Sequence, residues 1–598
     1  MKNFLKQVLA TIVGLIIFGA IAGVMGVVSI IGMIASGEAT QKVSDNSVMV
    51  LNLSGVIEEQ GQENILGQLT GNTVNNLGLD NILSAIKKAK NNDNIKGIYI
   101  EAGVLQTGYA TMQEIRNALL DFKKSGKWIV AYADSYSQGN YYIATAADKI
   151  FINPKGMIDW HGLGSQPQFY KDLMAKFGVR YQVVKVGTYK SFTETYTEDK
   201  MSDANRTQVS AFINGTWNNV RKAVAESRKI NPDSLNAYAD RLIIFEPTAN
   251  LLKYKMVDGL IYSDQVKNEV KKLLKIGQDR SINQIGLAEM ANIKGGKSTG
   301  DQIAVYYAYG SIVQAGGASL FSQGHSIVGP DVCKDLEDLM NDDNVKAVVI
   351  RVNSGGGDAY ASEQIWHQVA ELKKKKPVVI SMGDYAASGA YYMSCPANWI
   401  VAQPNTLTGS IGIFAAIPDM SGLITQKLGV KFDEVKTNRN STFGNVMARP
   451  FNDEELSYLQ GYVNRGYQLF RQRVADGRHQ KTSDIEKIAQ GRVWLGSDAL
   501  KIKLVDQLGG LDDAVAKAAS LAKLTDYHTK NYPAAPSWTD QFLASVGRKS
   551  YLDEQLRLTL GDLYEPFMML KSMNEREVLQ ARIPVSYTHL TLPTILRV

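Results

Sequence analysis

The chain contains an internal repeat of domain size. Residues 132–143 read YADSYSQGNYYI, and residues 381–393 read SMGDYAASGAYYM. When the two segments are aligned, Asp134 matches Asp384 and Gly139 matches Gly389. Each copy is about 230–250 residues long, which is enough for a hydrophobic core of its own. A repeat of this length indicates a duplicated domain rather than a short-period solenoid.

The two copies differ at the one aligned position that could supply a nucleophile. The second copy has Ser388 where the first copy has Gln138. The second copy also carries a glycine run after a strand-like segment, Gly355–Gly357, where the first copy reads EAGVL in residues 101–105. Because the serine and the glycine run are missing from the same copy, we infer that they work together.

Each copy alternates short β-branched strands with helical stretches. In the second copy, residues 347–350 and 377–380 predict strands, and residues 361–373 predict a helix between them. This alternation indicates βαβ units and an α/β fold class. We expect this organisation: membrane anchor and cytoplasmic N-terminus 1–45, first domain 46–293, glycine-rich linker 294–300, second domain 301–530, helical extension 531–584, non-native tail 585–598.

The N-terminus predicts a membrane segment. Lys2 and Lys6 are followed by an uncharged run over residues 7–37, which is longer than the roughly 20 residues that a membrane-spanning helix needs. A cleavable signal peptide has a shorter apolar region of about 7–15 residues, so an unusually long signal peptide is the less favoured alternative. Positive charge before the run places the N-terminus in the cytoplasm and the rest of the chain outside it.

Composition excludes several other classes of protein. A net charge of +6 over 598 residues gives no argument for nucleic-acid binding. The two cysteines do not make a disulfide framework, and the six scattered histidines form no metal-binding motif, so we expect no metal and no cofactor. The last residues, 585–598, resemble a translated sequencing adapter and are left out of the prediction of the fold.

Ser388 lies where an oxyanion would be stabilised. The strand over residues 378–381 is followed by small residues, and we expect a helix to begin near Ala386. A hydroxyl at the positive end of a helix favours a developing negative charge, and Gly389 supplies an unobstructed N–H. The alternative is a serine that merely caps the helix, which is common.

The residue patterns alone leave open what the glycine run binds and which residue is the catalytic base. Glycines after a strand bring backbone N–H groups close to a bound group, either a phosphate or an oxyanion facing Ser388. The Lys-Ser/Thr ending of a phosphate-binding P-loop is absent. A nucleophilic serine needs a base, and no histidine has a motif-like setting. A buried lysine with a lowered pKa can serve, but residue patterns alone do not choose one.

Three motifs of the second copy resemble the signal peptide peptidase A family, in its long, duplicated, membrane-anchored bacterial form. They are NSGGGDAYASE at 353–363, DYAASGAYYMS at 384–394 and LTGSIGI at 407–413. The resemblance extends from the anchor to about Leu524. It implies tandem α/β spiral domains of the ClpP/crotonase type and catalysis by a serine–lysine dyad.

The resemblance also implies roles for individual residues. The nucleophile falls on Ser388, and the base falls on Lys190 in the VGTYKS motif of the first copy. Ser410 matches the family serine that orients the lysine.

The oxyanion donors implied by the resemblance are Gly389 and a glycine of the loop, in the first place Gly356, with Gly357 as the alternative. The family pattern has proline where this chain has Gly355, so the choice within the loop stays open.

The implied function is a serine endopeptidase that degrades cleaved signal peptides and similar apolar peptides. The resemblance further implies a homotetramer in the bacterial inner membrane, with a single span and with the catalytic domains on the periplasmic side. Two alternatives use the same fold: a crotonase-type CoA enzyme, and a membrane scaffold that has lost its activity.

Overall fold

The computed structural model describes residues 42–61, 76–293, 299–315 and 325–534, the backbone of 579–582, and the isolated Gly14. The predicted anchor run at 7–37 and the predicted tail at 585–598 lie outside these ranges, as do most of the linker and most of the C-terminal extension. Within the described residues, no helix is both long enough and apolar enough to cross a membrane.

The first copy is built on a parallel sheet of seven strands, in the order β2-β1-β3-β4-β5-β7 with β8 beside β1. Its strands, together with β6 of a separate sheet, are β1 Ser47–Glu58, β2 Asn76–Gly78, β3 Ile95–Gln106, β4 Trp128–Ala133, β5 Lys149–Ile152, β6 Arg180–Val186, β7 Gly259–Leu260 and β8 Gln284–Gly286. Its helices are α1 Leu79–Asn91, α2 Tyr109–Lys123, α3 Gln138–Ala144, α4 Lys171–Lys176, α5 Glu194–Thr197, α6 Asp203–Arg228, α7 Pro232–Asp240, α8 Asn250–Lys253, α9 Ser263–Leu274 and α10 Leu287–Asn292, with a 3-10 turn at Ile243–Phe245.

The second copy is built on a sheet of eight strands, in the order β18-β16-β14-β12-β9-β20 with β15 and β19 beyond β14. The strands of this half are β9 Asp301–Tyr309, β10 Ser311–Val313, β11 Ser326–Val328, β12 Val345–Ser354, β13 Gly356–Asp358, β14 Val378–Ala387, β15 Trp399–Ala402, β16 Leu407–Gly409, β17 Ile413–Asp419, β18 Val493–Leu495, β19 Gln507–Leu508, β20 Tyr527–Tyr532 and β21 Leu579–Arg582. Its helices are α11 Gly329–Asn341, α12 Ala359–Lys375, α13 Gly389–Ser394, α14 Asp453–Gly477, α15 Thr482–Ile488, α16 Gly496–Lys501 and α17 Leu511–Leu521, with a π-helical turn at Gly422–Lys427.

The repeat predicted from the sequence is visible in the strand order. The parallel ladder β1-β3-β4-β5-β7 of the first copy corresponds to the parallel ladder β9-β12-β14-β15-β19 of the second. The central strands β9 and β12 of the second ladder are buried along most of their length, as parallel strands with helices on both faces are. The α/β class is therefore confirmed.

A third sheet joins the two copies. It has the order β11-β10-β13-β21-β17-β6, and β6 is the strand that the first copy contributes. β6 pairs antiparallel with β17, with Val186 opposite Ile413 and Arg180 opposite Asp419. The end of β6 leads directly into the VGTYKS loop, so this pairing carries a loop of the first copy to the second.

A buried ionic cluster also joins the copies. Arg351 on β12 contacts Glu59 at 2.7 Å and Glu114 at 2.8 Å, and all three side chains are buried. Nearby, Asp384 of the second copy accepts hydrogen bonds from the N–H and the hydroxyl of Thr111 in the first. Buried charges of this kind hold elements in one arrangement because either partner alone would be left uncompensated.

Candidate active site

Lys190 and Ser388 meet at the junction of the two copies. The Lys190 Nζ atom lies 2.7 Å from Ser388 Oγ and 3.0 Å from both the hydroxyl and the carbonyl oxygen of Ser410. All three residues are completely buried. The structure thus brings together one residue of the first copy and two of the second, which the resemblance alone had associated.

Ser388 occupies a strained turn between β14 and α13. Its backbone has φ 59° and ψ −119°, a region that residues with a side chain rarely adopt, and its N–H donates to the Gly409 carbonyl at 2.8 Å. Strain of this kind costs on the order of 1–3 kcal/mol and is concentrated at functional sites. The Ser388 side chain makes no helix-capping hydrogen bond, so the capping interpretation is wrong.

The local secondary structure around Ser388 differs from the sequence-based expectation. We expected the strand to end near Ser381 and the helix to begin near Ala386. Instead β14 continues to Ala387 and the helix begins at Gly389. The extra residues of β14 pair in parallel with β16, with Ala387 opposite Gly409, and this tertiary pairing overrides the local preference of alanine for helix.

Lys190 is held by a loop of the second copy. The Tyr189 N–H donates to the Gln490 carbonyl at 2.8 Å. Gly491 has φ +76°, and a Cβ placed on it would lie 2.7 Å from the backbone nitrogen of Lys190, so no side chain fits at position 491. Burial lowers the pKa of the Lys190 ammonium well below its ordinary value, because the charged form loses its hydration. Neither Gln490 nor Gly491 had a signal in the sequence.

Ser410 lies where it can orient the lysine. Its backbone has φ +51°, and its N–H donates to the Arg492 carbonyl at 2.7 Å. The hydrogen bond to Arg492 therefore fixes the position of Ser410, whose hydroxyl and carbonyl oxygens both contact Lys190 Nζ. It ties Ser410 to the 490–492 loop, which also packs on Lys190.

The glycines of the expected oxyanion hole lie beside each other. Gly389 is the first residue of α13, and a Cβ on it would lie 3.3 Å from the Gly357 nitrogen. Gly356 has φ +97°, and its N–H donates to the Ser354 hydroxyl at 3.1 Å. The choice between the two loop glycines remains a prediction.

A segment of extended chain lies against the glycine loop. β21 runs antiparallel to β13, with Gly356 opposite Arg582, and antiparallel to β17, with Ala415 opposite Leu579. The gap between β13 and β17 therefore accommodates one extended strand and satisfies its backbone on both sides.

The equivalent position in the first copy lacks a nucleophile. Gln138 donates from Nε2 to the Tyr109 hydroxyl at 2.8 Å and accepts from the Gly162 N–H at 2.9 Å. Its amide is satisfied by these neighbours, and it has no acidic proton to lose. In the described part of the chain, no cluster of three or more His, Cys, Asp or Glu side chains is placed to hold a metal ion.

Two α/β domains that enclose a buried serine–lysine pair define the class of serine hydrolases with a lysine in place of the usual histidine. The chain belongs to peptidase family S49, whose family model matches residues 121–277 and 370–525. It is accordingly a serine peptidase.

Several curated relatives span most of the chain. Protease 4 of Salmonella typhi is 36% identical over 562 residues, covering 91% of this chain and 88% of that protein. Protease 4 of Haemophilus influenzae is 32% identical and covers 83% of each. The chloroplastic serine protease SPPA of Arabidopsis thaliana is 30% identical, covering 81% of this chain and 70% of that protein.

Solved structures match single portions of the chain. ClpP1 from Listeria monocytogenes is 18% identical with a TM-score of 0.22, covering 35% of this chain and 92% of that one. A mutant of the 1510-N membrane-bound stomatin-specific protease is 14% identical with a TM-score of 0.26, covering 40% of this chain and all of that one.

Proposed function

We propose that this peptidase cleaves peptide bonds with Ser388 as nucleophile and Lys190 as general base. The observation that carries the proposal is the 2.7 Å contact between Lys190 Nζ and Ser388 Oγ in a fully buried setting. Burial lowers the pKa of the Lys190 ammonium and so favours the neutral amine, and only the neutral amine can accept a proton.

The reaction would proceed in two stages. Lys190 takes the hydroxyl proton as Ser388 Oγ attacks the peptide carbonyl carbon, and the resulting oxyanion is stabilised by N–H groups of Gly389 and of the glycine loop. The Lys190 ammonium then protonates the leaving amine, which releases the first product and leaves an acyl-serine. Neutral Lys190 finally takes a proton from water as the water oxygen attacks the ester carbonyl carbon, and the Lys190 ammonium returns the proton to Ser388 Oγ as the carboxylic acid product leaves. Ser410 keeps the amine directed at Ser388 throughout.

The substrate would bind as an extended strand between β13 and β17. This inference is supported by β21, whose backbone pairs with both strands. Backbone pairing requires an unfolded segment and is indifferent to most side chains. Cleaved signal peptides and similar apolar peptides meet this requirement once they have left their precursor.

The cellular setting is part of the same proposal. Residues 7–37 would anchor the chain by a single span in the bacterial inner membrane, with the catalytic domains on the periplasmic side. The chain would assemble as a homotetramer of tandem ClpP/crotonase-type domains, as the resemblance described above implies. An anchored protease of this kind would lie close to peptides released into the bilayer.

The test is hydrolysis of an unstructured apolar peptide by the purified full chain. Ser388→Ala should abolish hydrolysis, because alanine has no hydroxyl and fits the small-residue turn. Gln138→Ala, at the equivalent position of the first copy, is the matched control and should retain most activity. Loss of activity in Gln138→Ala with an unchanged unfolding curve, or hydrolysis by Ser388→Ala, would overturn the assignment.

A further inference from the structure

The first copy contains a large cavity that the proposed chemistry does not use. Its volume is about 960 Å³, and it is lined by residues of β3, by the start of α3 and by the loop that follows β5. Gln138, which aligns with Ser388, forms part of its wall. The cavity therefore occupies the position in the first copy that the active site occupies in the second.

One wall of this cavity is a strand edge. β3 pairs with β1 as far as Gln106, but it pairs with β4 only as far as Glu101. Ala102, Leu105 and Gln106 consequently have β1 on one side and the cavity on the other. Between them Gly103 and Val104 form a bulge, at which the Gly103 carbonyl accepts a hydrogen bond from Asn140 Nδ2. A strand edge that borders a cavity presents backbone groups that an incoming extended chain can pair with.

The same edge is occupied in the second copy. The aligned positions of the repeat are 250 residues apart, as for Asp134 and Asp384, so residues 106–108 correspond to Gly356–Asp358. In the second copy these three residues pair antiparallel with β21. Among the described residues, the structure thus holds one edge with an extended chain on it and an equivalent edge that borders the cavity.

The lining of the cavity indicates which peptides would fit. Val104 and Met157 are 68% and 42% exposed, and Leu105, Met112 and Ile244 line the same space. Exposed apolar side chains around a cavity favour an apolar ligand.

The charged lining groups are mostly acidic. Glu101, Asp134 and Asp159 are carboxylates, whereas His161, the one basic side chain of the lining, contacts Asp159 at 2.6 Å. An excess of carboxylates attracts a positively charged end.

We propose that this cavity is a second peptide-binding site, which holds an extended apolar peptide with a basic end along residues 102–107 without cleaving it. Cleavage does not occur because Gln138 stands where the nucleophile would be. The inference goes beyond the proposed catalytic reaction, and it concerns binding alone, so it can stand or fail independently of the roles of Lys190 and Ser388.

The test is photo-crosslinking on the full chain carrying Ser388→Ala, which cannot cleave the probe. The probe is a synthetic peptide with N-terminal lysines, a leucine–alanine run and a benzophenone side chain, and the labelled segments are identified by mass spectrometry. We expect labels in two places, residues 103–109 of the first copy and 355–360 of the second. Labels confined to 355–360 would overturn the proposal. Occupation of the cavity by another segment of this chain would overturn it as well.

Two variants make the test specific. Val104→Trp fills the cavity and should remove the label at 103–109 while keeping the label at 355–360. Glu101→Lys should weaken binding of the basic probe at the first site about five-fold, while a probe with glutamines in place of the lysines is unaffected. Glu337→Lys, an exposed position on α11, is the matched control and should change neither label.

A second readout separates this proposal from the catalytic one. Val104→Trp with Ser388 intact should hydrolyse a short peptide at the wild-type rate, because the second copy is unaltered. Failure of hydrolysis in the wild-type chain would count against the catalytic proposal only. Retention of the 103–109 label in Val104→Trp and in Glu101→Lys would count against the second site only.

Discussion

Replacing Lys190 by methionine should abolish activity and yet stabilise the protein at neutral pH. The proposed general base must be neutral at pH 7, whereas a lysine in the unfolded chain has a pKa of about 10.4. The general-base role therefore implies a cost of about 4–5 kcal/mol at pH 7, or about 1.4 kcal/mol per pH unit. Methionine has a similar length, is apolar and carries no proton. The substitution therefore removes the whole of this cost.

Lost hydrogen bonds offset part of the gain. In a Ser388→Ala background, which prevents self-digestion during unfolding, Lys190 Nζ retains its two contacts with Ser410 at 3.0 Å. Leaving both oxygens unpaired costs about 2 kcal/mol, at about 1 kcal/mol each. The net stabilisation by Lys190→Met at pH 7 should be about 2–3 kcal/mol.

The stability difference between the lysine and methionine proteins should depend on pH, and the direction of the pKa shift sets the sign of this dependence. Burial lowers the pKa of Lys190 in the fold. At pH values between that lowered pKa and about 10.4, the unfolded chain binds one more proton than the folded chain. The protein with Lys190 therefore gains stability as the pH rises through this range. The advantage of methionine should shrink by about 1.4 kcal/mol per pH unit and vanish near about pH 9.

The measurement is urea unfolding followed by tryptophan fluorescence, at several pH values between about 7 and 10. Lys185→Met is the matched control, because Lys185 is exposed on β6, and its difference from the parent should not vary in this way. A difference between the Lys190 proteins that stays constant over this range would show that Lys190 is charged in the fold, and it would refute the general-base assignment.

Three further predictions follow from the junction of the two copies. Peptidase activity should fall as the pH drops through the lowered pKa of Lys190, because protonation removes the base; a pH–rate profile that stays flat into the acid range would contradict this. Arg351→Met should destabilise the protein by about 3–5 kcal/mol in urea unfolding, since Glu59 and Glu114 would remain buried without their partner, and a loss below about 1 kcal/mol would contradict it. A fragment beginning at Asp301 should be inactive alone and partly active when mixed with the first domain; full activity of the fragment alone would remove Lys190 from the site.

The repeat made the proposed nucleophile identifiable from the sequence. Comparison of the two copies singled out Ser388 and the glycine run, because both are absent from the first copy. The same comparison indicated the α/β class. It did not give the end of β14, since the pairing of Ala387 with Gly409 joins segments that are distant in sequence, and local propensity is silent about such contacts.

The base was not predictable from residue patterns. Among the lysines that the structure describes, Lys190 is distinguished by its burial, to which the 490–492 loop of the other copy contributes. Sequence resemblance identified Lys190 as the match to a family motif, whereas Gln490 and Gly491 stayed unnoticed. Gly491 has no side chain and so leaves room for Lys190, and the Gln490 carbonyl holds the backbone of Tyr189. Neither role requires a distinctive pattern of residues.

The division of the site between two copies has a consequence for the synthesis of the protein. Lys190 leaves the ribosome well before the 490–492 loop that encloses it. At about 5–20 residues per second, the roughly 300 intervening residues take about 15–60 seconds to translate. During that interval the emerging chain first holds the proposed base without the proposed nucleophile. Later it holds both residues without the loop that encloses Lys190. The peptidase therefore cannot become active until most of its own chain has been made, which protects the nascent polypeptide and its surroundings from premature cleavage.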